Sequence, residues 1–319
     1  MEGDGVLIVN PEVKQVDHPD AVVIAVTSRA IFNMEDEHNI FLEKGIEEYT
    51  RYQIDNVEKP LKEGTAFALI KAFQMVNVKL LEQNPEEKQL FDVMLLSNNS
   101  PESGKRIINS VNHYGLAISR FYFTSEKDST EYLPKCNVKL FLSANQVDVH
   151  NAAKRGIPSA VMFLQEVVAV TDQLRIAFDG DSVLFAGQTD HVYEKEGLYM
   201  AKVYETFMKK IPMGEGPLKK FAMLLGEIRK KFGREDSPLR TYLLTARSSR
   251  NMGIRAIKTL RHWGLEIDEA FLMNGAPKGP ILNVIKPHMF FDDGLHNVEQ
   301  ALDIGVPAAL VLRDKGKAM

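Results

Sequence analysis

Apolar positions along this 319-residue chain alternate between short solid runs and longer stretches with helical spacing. That is the pattern of strands buried on both faces and separated by amphipathic helices. Leu174-Arg-Ile-Ala-Phe178 reads as a buried strand that stops abruptly at Asp179-Gly-Asp181. Arg240-Thr-Tyr-Leu-Leu-Thr245 reads as a second strand that stops at a hydroxyl, and His288-Met-Phe-Phe291 as a third that stops at Asp292-Asp293. Helical spacing governs Tyr199 to Phe207 and Leu218 to Ile228, with Gly214-Glu-Gly-Pro217 between them. Arg255 to Trp263 and Asn297 to Ile304 form amphipathic helices that end at Gly264 and Gly305, residues suited to a left-handed C-cap. Pro307 then opens a strand over Ala308 to Leu312, and Trp263 reads as an anchor at a helix end.

The pattern occurs twice. Gly104-x-Arg106-x-Ile108 leading to His113-Tyr-Gly-Leu116 returns as Gly253-x-Arg255-x-Ile257 leading to His262-Trp-Gly-Leu265, with the same internal spacing. Leu140-Phe-Leu142 leading to Gly156-Ile-Pro158 pairs without a gap with Met289-Phe-Phe291 leading to Gly305-Val-Pro307. Pro60-x-x-Glu63-Gly64 recurs as Pro212-x-x-Glu215-Gly216, and Ile24-Ala-Val as Ile176-Ala-Phe. Shared order and shared insert length favour an internal duplication over generic strand and helix repetition. The expected domains are 1–168 and 169–319, with helical inserts over about 33–90 and 187–237.

The strand ends of the second copy carry the chemistry. In a parallel α/β sheet the strand ends are where ligands bind, so Asp179, Asp181, Thr245, Asp292 and Asp293 fall at the expected place. Lys278 joins them from the loop Gly275-Ala-Pro-Lys-Gly-Pro280. Carboxylates brought that close repel by about 4 kcal/mol per pair at an effective dielectric of 20, and a divalent cation relieves the repulsion. All-oxygen ligands suit Mg²⁺. Lys278 and the metal would neutralise a phosphate dianion, Thr245 would bond a phosphoryl oxygen, and an aspartate could then attack phosphorus with a second acid two residues on. Each piece alone has a plainer meaning: Asp-Gly-Asp is commonly a turn, Thr245 a strand end, Lys278 a solvated loop charge, and Asp292-Asp293 a helix cap.

The order Asp179-x-Asp181, Thr245, Lys278, Asp292-Asp293 resembles the four motifs of the haloacid dehalogenase-like (HAD) phosphatases. The longer strings Ala177-Phe-Asp-Gly-Asp-Ser-Val-Leu-Phe185, Thr241 to Ser248, Gly275 to Pro280 and Phe290-Phe-Asp-Asp293 resemble the cytosolic 5'-nucleotidase type I family, as does Val23 to Phe32. The resemblance covers nearly the whole chain. It implies an α/β fold of two HAD-like, Rossmann-type three-layer α/β/α domains, each with a small helical cap insert. It implies Mg²⁺-dependent hydrolysis of nucleoside 5'-monophosphates through an aspartyl-phosphate. Asp179 would be the nucleophile, Asp181 the acid and base, and Thr245 and Lys278 the phosphate ligands. Mg²⁺ would sit on Asp179, the Asp181 carbonyl and Asp292, with Asp293 supporting. Ala246, Arg247 and Ser248 join Thr245 and Lys278 as candidate substrate contacts. A sugar-phosphate phosphatase and a nucleotide-binding regulator with vestigial turnover stay open beside this reading.

The first copy has lost this equipment. Thr27-Ser28-Arg29 stands where the second has Asp179-Gly-Asp181, Ser143-Ala144 where it has Asp292-Asp293, and Ser129 opposite Lys278. Ser97 corresponds to Thr245, so Arg29 and Ser97 could still hold an anionic nucleotide as an effector. In the cap, Phe207, Met208 and Phe221 could stack on a base, although such spacing more often marks core.

Composition narrows the setting. A formal net charge of −4 gives no support to a nucleic-acid or anionic-membrane partner, and the expected ligand is a small nucleotide. Cys136 is the single cysteine and can form no internal disulfide, which suits a reducing compartment. No apolar run is long enough to span a bilayer and the first residues lack a signal-like stretch, so the cytoplasm is the expected location. Assembly into a homo-oligomer is left open.

Overall fold

The computed structural model describes residues 19–165, 172–233, 236–247 and 251–312. The expected domain boundary at 168–169 lies outside the described residues. The first half runs β1 (Val22–Thr27), α1 (Ser28–Ile31), β2 (Phe32–Asn33), α2 (Glu35–Asp55), β3 (Lys62–Glu63), α3 (Phe67–Gln83), β4 (Phe91–Ser97), α4 (Lys105–His113), β5 (Ile118–Phe123), β6 (Val138–Ser143), α5 (Gln146–Lys154) and β7 (Ser159–Met162). The second half runs β8 (Leu174–Asp179), α6 (Gln188–Met208), α7 (Lys219–Lys230), β9 (Leu239–Thr245), α8 (Asn251–Trp263), β10 (Glu269–Leu272), α9 (Gly279–Ile285), β11 (Met289–Asp292), α10 (Leu295–Asp303) and β12 (Ala308–Leu310). The last strand ends two residues short of the expected Leu312.

Among the described residues one large sheet holds ten strands in the order β10-β9-β8-β11-β12-β7-β6-β1-β4-β5. Neighbours are parallel except where β12 meets β7, which is antiparallel. The solid apolar runs sit where a parallel sheet covered by helices needs them: every residue of β1 and β4 is buried. The fold is therefore α/β, as expected, with a single continuous sheet in place of one sheet per half.

Registers repeat across the junction. Val22 lies opposite Phe91 and Thr27 opposite Leu96, while Leu174 lies opposite Leu239 and Asp179 opposite Leu244. Ala25 pairs with Phe141 and Ala177 with Phe290. Both long insert helices bend at a glycine in the left-handed region, Gly45 at φ 83° and Gly197 at φ 80°. Open space surrounds both glycines, so backbone conformation and not crowding selects the residue type.

The two halves share one core. α3 of the first half packs on β8 of the second, and α7 of the second packs on β6 of the first. Leu69, Phe73 and Val76 consequently fall in the same buried cluster as Leu174, Ile176 and Phe178. Thr65 Oγ1 donates to the Phe163 carbonyl at 2.6 Å, and Lys231 meets Glu87 at 2.7 Å, tying the edges of that exchange. Phe221 is fully buried between Phe178 and Phe291, so the core reading holds for it, whereas Phe207 is 81% exposed.

Candidate active site

β8, β9 and β11 end side by side and deliver their last residues to one place. Parallel strands of one sheet stop at a common edge, so a residue at each strand end becomes a neighbour of the others whatever its distance in sequence. Asp179, Asp292 and Asp293 each offer a carboxylate oxygen, and these oxygens all lie within 4.8 Å of one another. Asp292 is fully buried and Asp179 nearly so. Lys278, immediately before α9, is buried as well and puts its ammonium 2.5 Å from Asp179 Oδ1 and 2.5 Å from Asp292 Oδ2. Its loop taken alone suggests a solvated charge and the motif order a phosphate ligand; here the ammonium bridges two buried carboxylates.

Electrostatics here are tense. Burial pushes the Asp179 carboxyl up; the Lys278 ammonium pulls it back, Asp292 and Asp181 push it further, and the net position is well above the usual carboxylate range. Burial works against the Lys278 ammonium, but Asp179 and Asp292 outweigh it and hold its pKa above the ordinary value. One lysine is shared by Asp179 and Asp292 with Asp293 beside them, and hard oxygen donors at such spacing fit a hard divalent cation. One backbone and one side-chain amide fix the shell: Gly294 N–H donates to Asp292 Oδ1 at 2.8 Å, and Asn297 Nδ2 to the same oxygen at 3.1 Å.

The loop after β8 is held from both sides. Leu184 N and Phe185 N both donate to the Gly180 carbonyl, at 3.0 and 2.9 Å, and Leu218 N donates to the Val183 carbonyl at 3.0 Å. Ser182 adopts φ 60°, an uncommon conformation for a side-chain-bearing residue and one often found where a turn carries function. Gly180 is required by proximity. A Cβ there would stand 2.9 Å from Thr245 Oγ1, so only glycine lets the β9 hydroxyl close on the acidic loop.

Asp181 is held by an element that the sequence pattern barely marks. Arg247 Nε donates to its Oδ2 at 2.8 Å and Nη2 to its Oδ1 at 2.6 Å, a two-pronged pair. Glu205, on α6 and fully buried, takes Arg247 Nη1 at 3.0 Å and Arg255 Nη1 at 2.9 Å. Burial opposes the Arg247 guanidinium, yet Asp181 and Glu205 raise its pKa above the ordinary arginine value. Of the remaining candidate contacts, Ala246 is exposed and Ser248 lies outside the described residues.

Glu205 was invisible in the sequence, one acid among many in an amphipathic helix. Its signal lay in the repeated Gly-x-Arg-x-Ile motif. In the first half Arg106 Nη1 donates to Gln53 Oε1 at 3.1 Å and Arg106 Nε to the Lys59 carbonyl at 2.8 Å. In the second, Arg255 repeats both contacts with Glu205 and, at 2.9 Å, the Ile211 carbonyl. Ser110 Oγ accepts from Leu61 N at 2.9 Å, as Thr259 Oγ1 does from Met213 N at 3.0 Å.

Fold and site together define a class: an α/β protein whose parallel strand ends gather carboxylates, a buried lysine and a hydroxyl at one edge of the sheet. Within that class the chain belongs to the 5'-nucleotidase family, whose family model matches residues 14–317. It is 45% identical over 296 residues to the human protein named cytosolic 5'-nucleotidase 1B, an alignment that takes in 91% of this chain and 48% of the human one. The chain thus spans about half the length of that curated relative. No solved structure matches it. Among the described residues no helix is long and apolar enough to cross a membrane.

Proposed function

We propose that this chain hydrolyses nucleoside 5'-monophosphates to nucleoside and phosphate, with Mg²⁺ as cofactor and Asp179 as nucleophile. The observation that carries the reading is the convergence of Asp179, Asp292 and Asp293 around the Lys278 ammonium in a member of the 5'-nucleotidase family. The name of the human relative favours a nucleotide over a sugar phosphate. The repeated registers and the repeated arginine contacts support descent of the two halves from one HAD-like unit. In this reading only the second half reacts.

Asp179, Asp292 and Asp293 would hold the ion, with the Asp181 carbonyl as a further ligand. When bound it would offset the repulsion among these acids and bring positive charge to the phosphate. Charge balance gives it a second purpose. Burial and Asp292 push the Asp179 carboxyl up, towards its protonated form, and a protonated carboxyl is no nucleophile, so a bound cation would favour the reactive anion. Lys278, already against Asp179, would shift its bonds to the incoming phosphoryl oxygens, and Thr245 would donate to another.

An Asp179 oxygen then attacks phosphorus, the bond from phosphorus to the 5'-oxygen breaks, and Asp181 gives that oxygen a proton. Water attacks the aspartyl-phosphate in the second step, Asp181 takes its proton, and phosphate leaves with Asp179 restored. Arg247 claims both oxygens of Asp181, so one of them must turn from the guanidinium to serve the leaving group. Because Glu205 shares that guanidinium, a shift of α6 over a bound substrate would provide the exchange. Phosphate release from nucleoside monophosphates, compared with sugar phosphates and measured with and without EDTA, tests the proposal. Equal rates on both panels would overturn the nucleotide assignment, and full activity in EDTA would overturn the metal.

A further inference from the structure

A cavity of about 330 Å³ opens at the strand ends of the first half, in the position where the second half carries its acids. Its size falls in the range of about 300–1,000 Å³ found for small-molecule sites. The floor is made of hydroxyls. Thr27 Oγ1 donates to Ser143 Oγ at 3.4 Å, the Ser28 and Ser97 hydroxyls lie 3.3 Å apart, and Ser143 Oγ donates to Asp148 Oδ2 at 3.1 Å. The wall is α2 and the residue before it: Met34 and Phe41 on one side of the Gly45 bend, Ile46 and Tyr49 on the other. The Phe41 and Tyr49 rings meet edge to face at 6.1 Å, a rigid aromatic corner.

Charge decides which class of molecule this lining can hold. Arg29 is beside the floor, but its Nη2 is bonded to Glu35 Oε1 at 2.9 Å, and its buried Nε has no hydrogen-bond partner among the described residues. Glu37 is bonded to Arg106 at 2.8 Å, while Asp148 and Glu126 also face the space. Burial and the Arg29 charge hold His38 below its ordinary value, so it adds no cation at neutral pH. A phosphate dianion would therefore meet acids, with its single guanidinium already neutralised. A neutral molecule that offers hydroxyls to the floor and a flat apolar face to the aromatic corner meets none of these penalties.

We propose that this cavity is a second ligand site, one that binds an uncharged nucleoside with its sugar on the hydroxyl and Asp148 floor and its base against Phe41 and Tyr49. The inference deepens the activity proposed above and rests on it only for a source of the ligand, since nucleoside is the organic product of that reaction. Binding itself needs no turnover.

Equilibrium dialysis of labelled adenosine and labelled uridine against the full chain carrying Asp179→Asn, in EDTA, measures the site directly. Ribose 5-phosphate and inorganic phosphate serve as anionic competitors. Phe41→Ala, at a residue already 36% exposed, and Asp148→Asn should each weaken nucleoside binding about tenfold while leaving the melting transition in place. Inorganic phosphate should not displace the nucleoside. Absence of nucleoside binding at millimolar concentration, or binding unchanged in both variants, overturns the proposal. Displacement by phosphate that is lost in Arg29→Ala overturns it in favour of an anion site. Failure of phosphate release in the activity assay leaves all of these readings intact, so the two proposals fail separately.

Discussion

Replacing Glu205 by glutamine removes one negative charge from a fully buried position and keeps the shape. Two guanidinium contacts, at 3.0 Å from Arg247 and 2.9 Å from Arg255, lose their ionic character. Both hydrogen bonds persist because the guanidinium keeps its charge, but the counter-charge is gone: outright loss of one partner of a buried pair costs about 3–5 kcal/mol, and the retained bonds bring that to about 2 kcal/mol. For a large domain that lowers Tm by about 4 °C. The fold should survive, because glutamine keeps both hydrogen bonds, as Gln53 does against Arg106 in the first half, although there Glu37 supplies the carboxylate that Arg255 would lack. Activity should suffer more than stability does. Arg247 would be held by a carboxylate from one side only, Asp181 would drift with it, and a displacement near 1 Å can cost about a hundredfold. We therefore expect kcat to fall about tenfold to a hundredfold with KM within about threefold of wild type, since the interaction lost belongs to the reacting step. Steady-state kinetics on a nucleoside monophosphate, beside a thermal melt, separates the two effects. A variant with lowered Tm and wild-type kcat would show that Glu205 serves stability alone, and the route from α6 to Asp181 would be refuted.

Asp179→Asn is nearly isosteric and should leave the melt intact while cutting turnover by several powers of ten; retention of more than about a tenth of wild-type activity contradicts the nucleophile assignment. The raised Asp179 carboxyl gives a pH signature. The metal-free folded state holds a proton that the unfolded chain releases, so its stability declines as pH rises from the ordinary 3.8 through the raised folded value. Mg²⁺ should accordingly raise Tm more at about pH 8 than at about pH 5, with about 2.7 kcal/mol gained at a hundredfold excess over Kd; a pH-independent shift in scanning fluorimetry would argue against carboxylate ligation. Gly216→Ala would place a Cβ 2.4 Å from the Val183 carbonyl oxygen, under the loop that carries Asp181, and should cost about 1–3 kcal/mol along with activity. Gly197→Ala meets open space but φ 80°, so its cost should be conformational, about 1–2 kcal/mol, measured by denaturant melts of the two variants side by side.

Sequence by itself determined what depends on local pattern. Solid apolar runs gave the strands at Leu174 and Arg240, helical spacing gave the amphipathic helices, and acids or a hydroxyl at the strand ends marked the site. These were legible because a strand buried on both faces must be apolar throughout, and a parallel sheet must end its strands together. The repeated spacing along the two halves was legible in the same way, and paired strand registers accompany it in the structure. Tertiary structure decided the rest. Nothing local to Gly275-Ala-Pro-Lys-Gly-Pro280 says that Lys278 leaves solvent to bridge Asp179 and Asp292, a pairing across 99 and 14 residues. Glu205 on its helix reads as any surface acid; it becomes the buried partner of two arginines only when α6 closes over the strand ends. The junction of β12 with β7 and the exchange of α3 and α7 between halves were equally hidden, because apolar faces of similar composition do not say which of two sheets they will cover. A charge pair or a shared core is a property of distance in space, and chain order fixes distance only within an element.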